Sequence, residues 1–239
     1  MGMDRRLFMA LVAAGASAAW VAEATEAQAH ASRHPTIFEL PPSTTKRFAW
    51  TIDDGVSAGS IAAYTAYALN DPSLKYNYFV TSSYPSWKRN RSALTELIGR
   101  GQVQLANHTR THPDLRALTS HGIQHALMDC HKFLEDTFGV NAMPFWRPPY
   151  GYYNTRVLQA AADIGYTAPT MWYGTLATDS ANLTRSRLHT LAYRWIRDGT
   201  VLIDHANNMT AANNFDVLRT AITKRGLAMV TLREAFPGY

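Results

Sequence analysis

Four short polar clusters carry side chains able to do chemistry, and each follows an apolar run. The first is Thr51-Ile52-Asp53-Asp54-Gly55. Two adjacent carboxyl groups repel unless a cation lies nearby or each does different work. The alternative for Asp beside Gly is a loop or a helix cap. The second cluster is Asn107-His108-Thr109-Arg110-Thr111-His112-Pro113. Imidazoles four residues apart in a helical turn fall on one side, which is what two ligands of one metal ion require. His121 and His125 share that spacing, so the spacing alone decides nothing; they lie inside an amphipathic helical pattern and read as surface residues, whereas His108 follows a strand. In the third cluster, Phe145-Trp146-Arg147-Pro148-Pro149-Tyr150-Gly151, two prolines fix the backbone and hold Arg147 in one direction. The fourth, Val201-Leu202-Ile203-Asp204-His205, is a strand ending in a polar pair.

These clusters need a scaffold, and the apolar periodicity predicts one. Strands are expected at Phe48 to Ile52, Tyr76 to Thr81, Val103 to Ala106, around Phe145, Tyr166 to Met171, Val201 to Ile203 and Ala228 to Val230. Helices are expected near Ser60 to Leu69 and Ser92 to Arg100, within 118 to 138, at Asn154 to Ile164, and near 184 to 197 and 212 to 224. Strands that alternate with helices predict a parallel sheet covered by helices, open or closed into a barrel. Chemistry in such folds gathers where strands end, which is where the clusters fall.

Length and composition set the frame. A chain of 239 residues suits one domain with a sizeable core, preceded by an export leader. Hydrophobic residues at 46% and charged residues at 17% exclude a disordered chain. The net charge of +5 and pI near 9.4 come from scattered residues that form no basic run, so a nucleic-acid partner is not expected. The single Cys130 excludes an intrachain disulfide and a cysteine-rich metal site, and its place in the stripe Ile123, Leu127, Cys130, Leu134, Phe138 makes it a core residue.

Residues 1–31 read as an export signal: Asp4-Arg5-Arg6, an Ala-rich apolar stretch, then Ala27-Gln28-Ala29 as a cleavage site. The paired arginines resemble a twin-arginine signal in part, and the ordinary secretory route stays open. Glu23 and Glu26 end the apolar run short of a membrane span, so no stable membrane insertion is expected after cleavage. The protein is expected to be exported, to the periplasm or to the exterior and cell wall. Residues 32–46, with Pro35, Pro41 and Pro42, read as an extended connector, and 47–239 as the catalytic domain.

Together the clusters resemble the motifs of the polysaccharide deacetylases, the NodB-homology domain of carbohydrate esterase family 4, in the family's order: T-[FI]-D-D-G at 51–55, H-[ST]-x-x-H at 108–112, R-x-P-Y at 147–150 and L/I-x-H at 203–205. Val230-Thr231-Leu232-Arg233-Glu234 is similar to the family's last strand and helix. The resemblance implies an α/β fold, a distorted (β/α) barrel of about seven parallel strands in a single domain. It implies that Asp54, His108 and His112 bind one divalent metal ion, which zinc suits and which cobalt or another divalent ion could replace. It makes Asp53 the catalytic base, held by Arg147, gives the Tyr150 backbone N–H to the oxyanion, and makes His205 the general acid. Where the family carries an Asp and Trp segment that supports this histidine, the chain reads Thr170-Met171-Trp172-Tyr173-Gly174-Thr175-Leu176-Ala177-Thr178-Asp179. Trp172 is present and Asp179 lies late, leaving Asp179 or some other group to orient His205.

The implied reaction is removal of N-acetyl groups from an N-acetylglucosamine polymer such as peptidoglycan or a chitin-like chain. O-deacetylation of acetylated xylan is the alternative within the class, and a wall-binding protein with weakened catalysis is the alternative outside it. Trp87, Trp146, Tyr150, Tyr152, Tyr153, Trp172 and Tyr173 lie on or beside loops, where each serves equally as a sugar platform or as core.

Overall fold

The computed structural model describes residues 35–179 and 183–239, and the stretch 1–31, where an export leader is expected, lies outside them. Thr36–Tyr239 form one compact unit. Its strands are β1 (Arg47–Asp54), β2 (Tyr76–Val80), β3 (Val103–Asn107), β4 (Phe145–Trp146), β5 (Ala168–Pro169), β6 (Gly174–Thr175), β7 (Val201–His205) and β8 (Ala228–Met229). Between them run α1 (Ala58–Asn70), α2 (Ser86–Arg89), α3 (Arg91–Gly99), α4 (Ser120–Phe138), α5 (Thr155–Ala162), α6 (Arg185–Trp195), α7 (Phe215–Arg225) and α8 (Leu232–Ala235).

Seven strands pair in the order β5-β4-β3-β2-β1-β7-β6, and β8 joins the first two residues of β1. Every ladder is parallel. The result is a distorted (β/α) barrel: a curled sheet wrapped by helices, as the family resemblance implied.

Residues alternate along β1. Phe48, Trp50 and Ile52 face the helices in a large cluster that includes Tyr64, Tyr78, Leu105 and Leu202. Ala49 faces inward, where it meets Phe79, Ala106, Phe145, Ala168 and Val201. Leu232 and Ala235 of α8 fill this inner layer together with Ile37 and Leu40. Ile37 bridges Thr170 and Glu39 bridges Thr200, so the extended stretch before β1 lies along the sheet. The interior is therefore densely packed, each large buried side chain contributing about 1.5–3 kcal/mol, and a cleft opens at the strands' carboxyl ends.

Helix ends follow local chemistry. The Ser57 hydroxyl accepts from Ser60 N–H to start α1, and Thr119 accepts from Gly122 N–H to start α4, which Gly139 ends at φ 68°. Among the described residues, no helix is long and apolar enough to cross a membrane.

Candidate active site

Strand register sets the site. Across the sheet Asp53 pairs with His205, Asp54 with Val80, Val80 with Asn107, and Asn107 with Trp146. All four clusters therefore end at one level, and the side chains beyond that level converge.

At the end of β1 the chain turns sharply. Asp54 has φ 71° and Gly55 φ 94°. A Cβ on Gly55 would lie 2.2 Å from the Trp87 ring, so glycine alone fits there. Trp87 then donates its indole N–H to the Asp54 carbonyl at 3.2 Å and to the Thr81 carbonyl at 3.1 Å, which locks the turn. The turn separates the two aspartates: Asp53 stays in the inner layer, and Asp54 swings toward the histidines.

The histidine pair converges by a route other than helical spacing. Residues 108–114 form a loop, with Thr109 at φ 70° and His112 at φ 60°. The Asn107 side chain accepts from Thr109 N–H at 2.8 Å, and the Thr109 hydroxyl accepts from His112 N–H at 3.1 Å. Asn107 also donates to the Tyr166 hydroxyl at 2.7 Å, which lies 2.9 Å from Nδ1 of His131. A buried polar chain thus braces the loop from behind. His108 Nδ1–H donates to the Arg147 carbonyl at 2.8 Å, which leaves Nε2 as a free lone pair. His121 and His125 do share a helix face, exposed on α4.

Asp54 Oδ1 lies 3.3 Å from His112 Nε2 and 3.5 Å from His108 Nε2. This oxygen is buried and has no hydrogen-bond partner among the described residues. Ligand atoms of Asp54, His108 and His112 all lie within 4.8 Å of one another, a group able to hold a metal ion. The set fits: two imidazole nitrogens and one carboxylate oxygen suit a borderline divalent cation and leave positions open. Burial alone would raise the Asp54 pKa, but His108, the hydrogen bond from Asn207, and His112 together hold it below its ordinary value.

His112 is shifted down, first by burial and then by repulsion from His108. The unfolded chain, with the ordinary value of 6.5, therefore takes up this proton before the folded chain does. Stability of the metal-free protein is expected to be full above pH 6.5 and to fall as the pH drops below it toward the folded value. His112→Gln should flatten that part of the curve when urea unfolding is followed across pH, and an unchanged slope would assign it to other groups.

Beside the triad, Arg147 is fully buried. Its Nη1 donates to Asp53 Oδ1, Nη2 to the Thr51 hydroxyl and the Met171 carbonyl at 2.9 Å each, and Nε to the Thr170 carbonyl at 2.8 Å. The guanidinium also stacks 4.0 Å over Phe79. Burial lowers its pKa and Asp53 opposes that shift, yet a guanidinium stays charged throughout. Arg147 is therefore aimed by five contacts at once, and Asp53 is left with Oδ2 facing His108 Nε2 at 3.6 Å.

His205 is positioned by its backbone. Its N–H is shared between the Thr178 hydroxyl at 3.0 Å and Asp204 Oδ1 at 2.8 Å. Asp204 is fully buried and also accepts from Trp50 Nε1 at 3.1 Å, the Tyr64 hydroxyl at 2.6 Å and the Thr178 hydroxyl. Burial pushes the Asp204 carboxyl upward, against the pull of those donors. Asp179 stands exposed at the cleft and makes no hydrogen bond to His205, whose buried Nδ1 has no hydrogen-bond partner among the described residues. Thr178 and Asp204 fix the His205 backbone, not its ring. In the sequence Asp204 reads only as the polar neighbour of His205; the signal for its buried place is the two-residue alternation of a strand, which turns it away from the pocket.

A cleft of about 590 Å³ joins these groups, within the range of small-ligand sites. Tyr84, Tyr150, Tyr152 and Trp172 form its walls. Tyr150, at φ 59° and 57% exposed, lays its ring 4.5 Å from that of His112. Trp87 and Trp146 are fully buried and belong to the core, not to a sugar platform.

The family model for polysaccharide deacetylases matches residues 40–169. An uncharacterized protein of Streptomyces coelicolor is 38% identical over 138 residues, which is 55% of this chain and 52% of that protein. Chitin deacetylase 1 of Cryptococcus neoformans is 36% identical over 104 residues, 44% of this chain and 21% of that protein. The chain thus spans about half or less of the length of the curated relatives it matches. Among solved structures, a peptidoglycan N-acetylglucosamine deacetylase superposes with TM-score 0.74 at 18% identity, covering 85% of this chain and 94% of its own. A CE4 family pseudoenzyme from Bacillus anthracis superposes with TM-score 0.71 at 18% identity, covering 84% of this chain and 68% of its own. At these identities the structural likeness speaks for the fold.

Proposed function

Because the chain belongs to the polysaccharide deacetylase family, we propose that it is a metal-dependent hydrolase that removes N-acetyl groups from an N-acetylglucosamine polymer of the peptidoglycan or chitin type. The observation that carries this reading is the unpartnered Asp54 oxygen facing two imidazole nitrogens, beside the Asp53–Arg147 pair and His205 in one cleft. Asp54, His108 and His112 would hold the ion, and zinc suits their donor set. A divalent ion bound there supplies a water acidified toward a pKa of about 7 and polarises the acetyl carbonyl.

The chain's own residues do the rest. Arg147 occupies Oδ1 of Asp53, so Oδ2 is the oxygen that accepts the proton of the attacking water. The Tyr150 backbone N–H, turned by its left-handed φ and fixed by the preceding prolines, serves the oxyanion. His205, on the strand next to Asp53, protonates the departing amine. Tyr84, Tyr150, Tyr152 and Trp172 offer ring surfaces to the sugar. The leader pattern supports action outside the cytoplasm.

One observation favours a second reading, a wall-binding protein with weakened turnover: among the described residues His205 Nδ1 has no acceptor to hold its ring. Acetate release from peptidoglycan, chitooligosaccharides and acetylated xylan separates the readings. Release from the first two that stops with chelator and returns with zinc is expected. Release from xylan alone would make it an O-deacetylase, and no release at full metal loading would favour the binding protein.

A further inference from the structure

We propose that Asn207 is a positioning residue for the metal centre, whose side-chain amide fixes Asp54 as a one-oxygen ligand. The inference rests on the reading above, in which Asp54, His108 and His112 hold an ion.

The backbone delivers Asn207 to this place. Beyond His205, the Ala206 N–H donates to the Asp53 carbonyl at 3.0 Å, and the Ala206 carbonyl accepts from Ser57 N–H at 2.8 Å. Residue 206 is thereby tied to the end of β1 on one side and to the start of α1 on the other. The next side chain, Asn207, reaches Asp54: its Nδ2 donates to Oδ2 at 2.7 Å.

That contact gives the two oxygens of Asp54 different tasks. Oδ2 is engaged by the amide, while Oδ1 is buried, has no hydrogen bond, and lies within 3.5 Å of both imidazole nitrogens. A carboxylate terminates in a torsion with a broad, shallow energy profile, and among the described residues Asn207 alone hydrogen-bonds to the Asp54 carboxylate and so chooses which oxygen faces the histidines. The amide orientation is not arbitrary either. Flipped, it would set Asn207 Oδ1 against Asp54 Oδ2, two acceptors with no proton between them.

The residue type matters as much as the place. A neutral donor orients the carboxylate without competing for the ion, whereas Lys or Arg would cancel the ligand's charge. Partners that hydrogen-bond to metal ligands are typically worth about 10–100-fold in metal affinity.

The test measures zinc binding by competition with a chromophoric chelator, on the full metal-free chain, for wild type, Asn207→Ala and the near-isosteric Asn207→Leu. Both variants are expected to show a zinc Kd raised by about 10–100-fold, a loss of binding greater than the stability that the metal-free protein gives up with the hydrogen bond. The absorption bands of the cobalt-loaded variants should differ from wild type, since the carboxylate is then free to bind through both oxygens. Wild-type affinity in both variants would overturn the inference while leaving the metal centre intact. Weaker binding matched by an equal loss of metal-free stability would overturn it too, because the role would then be structural. Wild-type protein that takes up no zinc would remove both this inference and the proposed function.

Discussion

Asn in place of Asp53 is expected to lower kcat for acetate release by about 10²–10⁴-fold, the usual worth of a positioned base, with zinc content unchanged. Asn keeps an oxygen for the Arg147 guanidinium but has none that can accept and hold the proton of the attacking water. Zinc should remain because Asp53 is not one of the converging ligand groups; those are Asp54, His108 and His112. Measuring kcat alongside metal content separates the two aspartates. If Asp53→Asn lost zinc, the division of labour set by the turn at Asp54 would be wrong. If it kept both zinc and turnover, Asp53 would not be the base.

The second large effect concerns the partner of that base. Arg147 and Asp53 are an ion pair with 0% and 3% side-chain exposure, and removing one member of a buried pair typically costs about 3–5 kcal/mol because the other charge is left behind. Arg147→Met should therefore lose about that much stability in urea unfolding of the metal-free protein. Turnover should fall as well, since Asp53 Oδ2 is no longer aimed. The double variant, Asp53→Asn with Arg147→Met, should be more stable than Arg147→Met alone, because the orphaned anion is gone. If the double variant instead summed the two single losses, the pair would not be coupled and the aiming role of Arg147 would fail.

What was legible in the sequence follows from where the information lies. β1, β2, β3 and β7 are short runs rich in apolar residues, interrupted at Thr51, Asn77 and Gln104, and such runs announce buried strands with polar groups at their ends. β6 carried no signal. It is two residues long, begins at Gly174 and exists because it pairs with β7, where a side chain at 174 would collide with Trp195 and Thr200. The strand expected from Tyr166 to Met171 shrinks to Ala168–Pro169. Tyr166 hydrogen-bonds with Asn107, and Thr170 and Met171 give their carbonyls to Arg147.

At the site, each motif was readable as a local string, but the contacts between motifs were not. The rings of His108 and His112 do converge, but not through the helical turn that their spacing suggested: two left-handed residues, not a helix, bring them together. Asn207 and Asp204 show the limit more sharply. Asn207 meets Asp54 across 153 positions, and Asp204 meets Trp50 across 154 and Tyr64 across 140. No spacing rule spans such separations; they become visible only once β1 and β7 lie side by side.

Asp54, Thr109, His112, Tyr150 and Ala177 are the described non-glycine residues with positive φ, and all but Ala177 belong to the cleft or its histidine loop. Backbone held this way typically costs about 1–3 kcal/mol per residue. An engineering campaign that ranked variants by heat resistance alone would be drawn to these positions, where glycine relieves the tension. It would harvest sturdier proteins whose ligand-bearing loops had gone slack. Selection for thermostability in this chain should therefore hold these backbone positions constant and seek its gains in the helices outside the barrel.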